Sequence, residues 1–179
     1  MRLFLAIDLP DKVKSSLTQQ LKNIYREYPN FKWVSTENFH ITLLFFGEAN
    51  NSETIINKIR EATYDEGKFY LYSLNADLFL KHKIILHLDF QRSKELERIV
   101  EKLREEFNLN EKQKFVPHLT IGRYRIASKQ QYLLLKKKLK HLKIDIEFKV
   151  NKLILFDSLL TSKKPVYNRI MEFPLLSGS

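Results

Sequence analysis

Two strand-forming runs, at 39–46 (FHITLLFF) and 117–125 (PHLTIGRYR), each carry the pattern His-x-Thr followed by an aliphatic residue. This duplication restricts the fold more than any other feature. Side chains alternate faces along a strand. His40 and Thr42 therefore share one face while Ile41 and Leu43 take the other, and His118 and Thr120 repeat the arrangement over Leu119 and Ile121. With five histidines and roughly one threonine per 25 residues, about 0.2 such pairs are expected by accident. Two copies, both in strand-forming runs and both backed by aliphatics, point to a chain that presents two imidazole–hydroxyl pairs over a buried core.

The remaining periodicities fit around these strands. Residues 2–8 alternate as a strand. A helix is predicted from 12 to about 28, with Asp11 as a candidate cap and Val13, Leu17, Leu21, Ile24 and Tyr25 on one face. A short extended piece at 31–34 precedes the first motif. Ser52 is read as the cap of a second helix bearing Ile55, Ile56 and Ile59. Strands are predicted at 68–80 and 83–90, joined near Lys81 and His82. The order then repeats coarsely: a helix over 93–107, a polar linker at 108–114, the second motif strand, a helix from 128 to about 142, and strands at 144–150, 152–157 and 166–173. The reading is α+β, helices set against antiparallel strands, in one domain spanning 1–179.

Composition excludes several classes of function. Hydrophobic residues make up 44% of the 179 and charged residues 29%, which suits a globular chain. The absence of cysteine removes disulfides, thiolate zinc sites and a cysteine nucleophile. Asp8 and Pro10 interrupt the apolar opening MRLFLAIDLP before it reaches signal-peptide length, and no stretch approaches the roughly 18 apolar residues of a membrane span. A soluble cytoplasmic protein, off the membrane, is expected. Lys plus Arg exceed Asp plus Glu by 31 to 21, a net charge of +10 that favours a polyanionic partner through phosphate neutralisation. A lysine-rich surface without that role is the plainer explanation.

Opening a phosphodiester in line requires a base to deprotonate the nucleophile and an acid to protonate the leaving oxygen. Histidine titrates near 6.5, so one copy can be neutral and the other charged at working pH. A hydroxyl beside each imidazole can hold a non-bridging phosphate oxygen. Neither histidine has the H-E-x-x-H or carboxylate-rich context usual for metal sites, so no metal and no cofactor is expected.

At these residues the sequence resembles the two-histidine phosphoesterase superfamily, and within it the RNA 2′,3′-cyclic phosphodiesterase branch, also called the 2′-5′ RNA ligase family. The resemblance rests on the opening MRLFLAIDLP, on Trp33-Val34 followed by Glu37-Asn38-Phe39-His40-Ile41-Thr42-Leu43 and Phe46-Gly47-Glu48, and on Phe115-Val116-Pro117-His118-Leu119-Thr120-Ile121-Gly122-Arg123. It implies two pseudo-symmetric lobes of antiparallel sheet with packed helices around a central cleft. It also implies metal-independent hydrolysis of RNA 2′,3′-cyclic phosphate ends to 2′-phosphates. The expected partner is RNA with such an end, tRNA fragments among them, and a monomer is expected, although no residue reads the oligomeric state. By the family's assignment His40 donates the proton and His118 accepts one, while Thr42, Thr120 and Arg123 bind the phosphate. The two motifs are locally equivalent, so the residues themselves do not distinguish acid from base. Ligation of the cyclic end to a 5′-hydroxyl and non-catalytic RNA binding are the rival readings.

Other residues carry two readings each. Strict alternation turns Arg123 away from His118 and Thr120, unless Gly122 permits a bulge. His87 either approaches the cleft or is a partly buried polar side chain, the commoner outcome. Trp33 either stacks a base or packs on a neighbouring strand, and Phe115 either walls the site or joins the core. Lys136, Lys137, Lys138 and Lys140 either touch RNA or form a solvated helix face. His141, closing that helix, suits its dipole.

Overall fold

A computed structural model describes residues 1–80, 83–110, 114–125, 128–161 and 164–177. The strands are β1 (Arg2–Asp8), β2 (Lys32–Trp33), β3 (His40–Glu48), β4 (Phe69–Leu80), β5 (Ile84–Phe90), β6 (His118–Tyr124), β7 (Glu147–Val150), β8 (Lys152–Leu160) and β9 (Pro165–Pro174). The helices are α1 (Asp11–Gln20), α2 (Lys22–Glu27), α3 (Ser52–Thr63), α4 (Lys94–Glu106) and α5 (Lys129–Leu139). The strands form a sheet in the order β7-β4-β5-β6-β3-β1-β8-β9, with β2 beside β6, and every named pair is antiparallel. The α+β class and antiparallel arrangement are as the sequence predicts. The segment joining β4 to β5, at Lys81 and His82, lies outside the described residues, as do 111–113 of the polar linker.

One face of the sheet carries the helices. Leu3, Leu5 and Ile7 of β1, Ile41 of β3, Leu86 and Leu88 of β5 and Leu119 of β6 share a continuous core with Leu17 of α1, Ile24 of α2, Ile59 of α3, Ile99 and Leu103 of α4 and Leu135 of α5. Each such side chain, fully buried, contributes about 1.5–3 kcal/mol. The opposite face carries a small cluster of Phe4, Ala6, Ile154 and Phe156 with Tyr167 packed on it. An antiparallel sheet with one solvated face is a stable arrangement, and that face holds the motif histidines. Among the described residues no helix is long and apolar enough to cross a membrane.

Several boundaries differ from the sequence expectation for identifiable reasons. The first long helix is divided at Leu21, which has φ −84° and ψ −6°. Pro10 occupies the cap position without a side-chain bond, and Asp11 is the first helical residue, where its carboxylate complements the helix dipole. Asn51 caps α3 by accepting from the Glu53 N–H at 2.8 Å, in place of Ser52. Residues 144–146 do not join β7, because the Ser73 hydroxyl bonds the Ile144 carbonyl and the Ile146 N–H instead. The caps of α4 and α5 are Ser93 and Ser128, each accepting a backbone N–H.

Candidate active site

The site forms where the two halves of the sheet meet. β3 and β6 are joined through Ile41 opposite Leu119, both fully buried. In an antiparallel pair, this register sets His40 opposite Thr120 and Thr42 opposite His118, on the face away from the core. Each histidine thus lies beside the threonine of the other motif. The two histidines are diagonal neighbours, with Cα atoms about 7–8 Å apart in such geometry.

The halves are matched residue by residue. On β1 and β3, Asp8 is opposite His40, Ala6 opposite Thr42, Leu5 opposite Leu44 and Phe4 opposite Phe45. On β5 and β6, Asp89 is opposite His118, His87 opposite Thr120, Leu86 opposite Gly122 and Ile85 opposite Arg123. Both ladders skip one residue immediately after the threonine, Leu43 in β3 and Ile121 in β6, so each motif ends in a β-bulge. The bulge buries two consecutive residues and reverses the alternation beyond them. Arg123 therefore emerges on the face of His118 and Thr120, and Phe45 emerges on the face of His40 and Thr42. The positive charge of Arg123 is felt by both His40 and Tyr167.

Backbone carbonyls orient both imidazoles. His40 Nδ1 lies 2.7 Å from the Asn38 carbonyl, and His118 Nδ1 lies 2.9 Å from the Val116 carbonyl. A carbonyl only accepts, so each Nδ1 carries the proton and each Nε2 is left for proton transfer. Rings hold them in place. His40 sits 5.1 Å from the Phe4 ring and edge-on to Tyr167 at 5.2 Å. His118 is edge-on to Phe79 at 5.2 Å and to His87 at 5.8 Å.

The electrostatic surroundings break the symmetry. Burial pulls the His40 imidazolium below its ordinary pKa; the Asn38 carbonyl and Asp8 oppose this, while Arg123 and Lys14 add to it. Asp8 is already neutralised by buried Lys14 at 2.6 Å and by Arg169. Asp89 instead has Oδ1 only 3.1 Å from His87 Nε2, without hydrogen-bond alignment. Burial also raises the Tyr167 hydroxyl above its ordinary pKa.

The remaining candidates separate clearly. His87 is 1% exposed, stacked on Phe79 at 3.7 Å, and belongs to the site face. Trp33 belongs to the core: it packs on Tyr25 and Phe31, and its indole N–H donates to the Tyr28 carbonyl. Phe115 also packs on the core. Lys138 pairs with Glu27 and Lys136 lies 3.9 Å from Asp77, so part of the basic helix face is engaged by carboxylates. His141 is exposed beyond the end of α5. His82 lies outside the described residues. The aromatic neighbours Phe4, Phe79 and Tyr167 carry no signal in the sequence beyond strand-like hydrophobicity. Among the described residues no group of three or more His, Asp or Glu side chains is placed to hold a metal ion.

A model of the 2′-5′ RNA ligase superfamily matches residues 9–160. A Thermotoga maritima protein named RNA 2′,3′-cyclic phosphodiesterase is 28% identical over 190 residues, covering 99% of this chain and 97% of the relative. A Methanocaldococcus jannaschii protein of the same name is 29% identical over 178 residues, covering 97% and 100%. Among solved structures, one from Thermus thermophilus superposes with a TM-score of 0.78 at 24% identity over 98% of each chain. Apo LigT of E. coli gives 0.77 at 20% identity, over 97% of this chain and 96% of its own. At these identities the structural likeness shows the fold.

Proposed function

Because the chain belongs to the 2′-5′ RNA ligase superfamily, we propose that it is an RNA 2′,3′-cyclic phosphodiesterase working by two-histidine acid–base catalysis. The observation that carries this is the crossed register at Ile41 and Leu119, with both Nδ1 atoms held by carbonyls and both Nε2 atoms left for chemistry. The names of the relatives from Thermotoga maritima and Methanocaldococcus jannaschii support the substrate.

In this reading the cyclic phosphate sits between the imidazoles. Thr42, Thr120 and Arg123 bind its non-bridging oxygens and stabilise the charge that builds there. His118 Nε2 takes a proton from water as the water oxygen bonds to phosphorus. The bond from phosphorus to the 3′ oxygen breaks, and His40 Nε2 gives its proton to that oxygen. The product is a 2′-phosphomonoester, and the two histidines have exchanged charge states. Burial disfavours the His40 imidazolium, and the negative charge of the bound phosphate offsets that penalty. No step calls for a metal. Both half-sites come from one chain, so a monomer in which residues 1–179 act as one bilobal unit suffices.

The test is incubation with an oligonucleotide ending in a 2′,3′-cyclic phosphate, in excess EDTA, with and without a 5′-hydroxyl acceptor RNA. The reading predicts a 2′-phosphate end in both arms. A 2′-5′ joined product as the dominant outcome would make the chain a ligase. Loss of activity in EDTA, restored by a divalent ion, would overturn the metal-free mechanism.

A further inference from the structure

Opening a cyclic phosphate involves only the terminal nucleotide, yet an RNA strand continues from the 5′ side of that nucleotide and must leave the cleft over some surface. Base stacking is the usual sequence-independent grip on a single strand. Trp33 does not offer it, being packed against Tyr25 and Phe31. A second aromatic pair does. Phe69 and Leu71 of β4 are buried in the core with Leu88 and Phe90, so by alternation Tyr70 and Tyr72 turn to the face of the motif histidines. These tyrosines are 51% and 42% exposed, and their rings stack at 6.3 Å with an interplanar angle of 24°. We infer that Tyr70 and Tyr72, with Lys149, form a platform that binds the single-stranded RNA on the 5′ side of the reacting end.

The platform is continuous with the site from both histidines. Asp89 is opposite His118, and two residues further along β5 the Gln91 N–H donates to the Tyr72 carbonyl at 2.8 Å. Tyr72 thus lies two strands and two residues from His118, about 12 Å by strand geometry, which a few nucleotides span. On the other side, a groove of about 260 Å³ is lined both by Asp8, the residue opposite His40, and by Lys149, the residue opposite Tyr70. Within it Asp8 is neutralised by Lys14 and Arg169, and Lys152 is paired with Glu172. Lys149 makes no ion pair among the described residues, and its ammonium lies 5.8 Å over the Tyr70 ring. It is the groove cation left to meet a phosphate. Asp11 at the groove and Glu147 opposite Tyr72 are carboxylates, so the RNA backbone passes on the Lys149 side and a base, rather than a phosphate, lies over Tyr72. Every base has a face to stack, so the occupant is an unpaired RNA end of any sequence.

The direction of the strand rests on the proposed reaction, whereas binding to the platform is measured without turnover. Single-stranded RNAs of increasing length, each ending in a 2′-phosphate, are titrated by calorimetry alongside 2′-AMP. For the wild type, affinity should rise with length and then level off. Tyr70→Ala and Tyr72→Ala should each weaken binding of the longer RNAs by about 10-fold or more, the scale of one lost base–aromatic stack, while 2′-AMP stays within about twofold. Tyr70→Trp should keep the affinity, because an indole also stacks. Both tyrosines are exposed, so the substitutions leave the core intact, and circular dichroism verifies the fold. A length series that is flat in the wild type would overturn the platform. So would unchanged affinity for long RNA in the folded double variant, or an equal loss for 2′-AMP. Hydrolysis of a 2′,3′-cyclic mononucleotide by the wild type is measured apart. Its failure would remove the proposed reaction, while the length series would still report whether the platform binds RNA.

Discussion

Ile41 on β3 is the antiparallel partner of Leu119 on β6, and this buried contact is where the two histidine motifs meet. Its consequence is that each imidazole faces the hydroxyl of the other motif. Neither strand alone carries both imidazole–hydroxyl pairs. The aliphatic residue inside each motif therefore matters as much as the polar pair, because it fixes the register that brings both pairs to one face.

Gly122 is the residue that lets the second bulge form against a packed floor. A Cβ there would come within 2.8 Å of Trp33 Cε3 and 3.3 Å of Phe31 Cδ1. Gly122→Ala should destabilise the fold by about 1–3 kcal/mol, the usual range for overpacking. Urea denaturation checks this. Unchanged stability would mean that Trp33 and Phe31 yield without cost.

Much of this architecture is legible in the sequence, because strand alternation and helix periodicity are local. The two H-x-T runs, the helices bearing Leu17, Ile59, Ile99 and Leu103, and the antiparallel character are read directly from spacing. The bulges are not. Alternation alone turns Arg123 to the core, and only pairing with β5 reveals the skipped Ile121 that returns it to the site. Gly122 hints at this irregularity, whereas nothing near Leu43 announces its counterpart in β3. Tyr167, Phe4 and Phe79 reach the histidines from strands distant in sequence, and hydrophobic pattern cannot separate a ring that flanks an imidazole from one in the core. The polar asymmetry between Asp8 and Asp89 is equally a product of long-range packing.

Arg123→Ala should reduce kcat/KM for a 2′,3′-cyclic nucleotide by about 10–100-fold, given about 1.5–3 kcal/mol for a hydrogen bond to a charged group. Arg123→Lys should recover only part of this, because a point charge does not reproduce a bidentate fork. Activity within twofold of wild type in Arg123→Ala would remove Arg123 from the phosphate site.

The pH profile follows from the lowered His40 pKa, whose largest cause is burial. A lowered pKa means that the imidazolium loses its proton at a lower pH. In its proposed role of proton donor it is then inactive, so kcat/KM should fall with rising pH through a midpoint below the ordinary histidine value of about 6.5. In kcat, which reports the complex, the same limb should move upward, because the bound phosphate anion favours the charged ring. The limbs belong to the coupled pair. An alkaline limb in kcat/KM at or above 6.5 would contradict this.

The net charge of +10 bears on substrate length. If about three phosphates of an oligonucleotide are neutralised, its affinity should fall about 20-fold between 50 and 200 mM salt, while a cyclic mononucleotide should change far less. Equal salt dependence for both would show that the basic surface does not track RNA.

The most direct measurement of the two-histidine account is single-turnover hydrolysis of a 2′,3′-cyclic phosphate oligonucleotide by wild type, His40→Ala, His118→Ala and the double variant, with circular dichroism verifying that each is folded. Both histidines lie on the open face, so truncation should leave the core intact. Each single substitution should lower the rate by roughly 10²-fold or more, the scale of general acid–base catalysis. The double variant should lose much less than the product of the two, since the histidines act as a unit. Near-normal turnover in either folded single variant would contradict the mechanism.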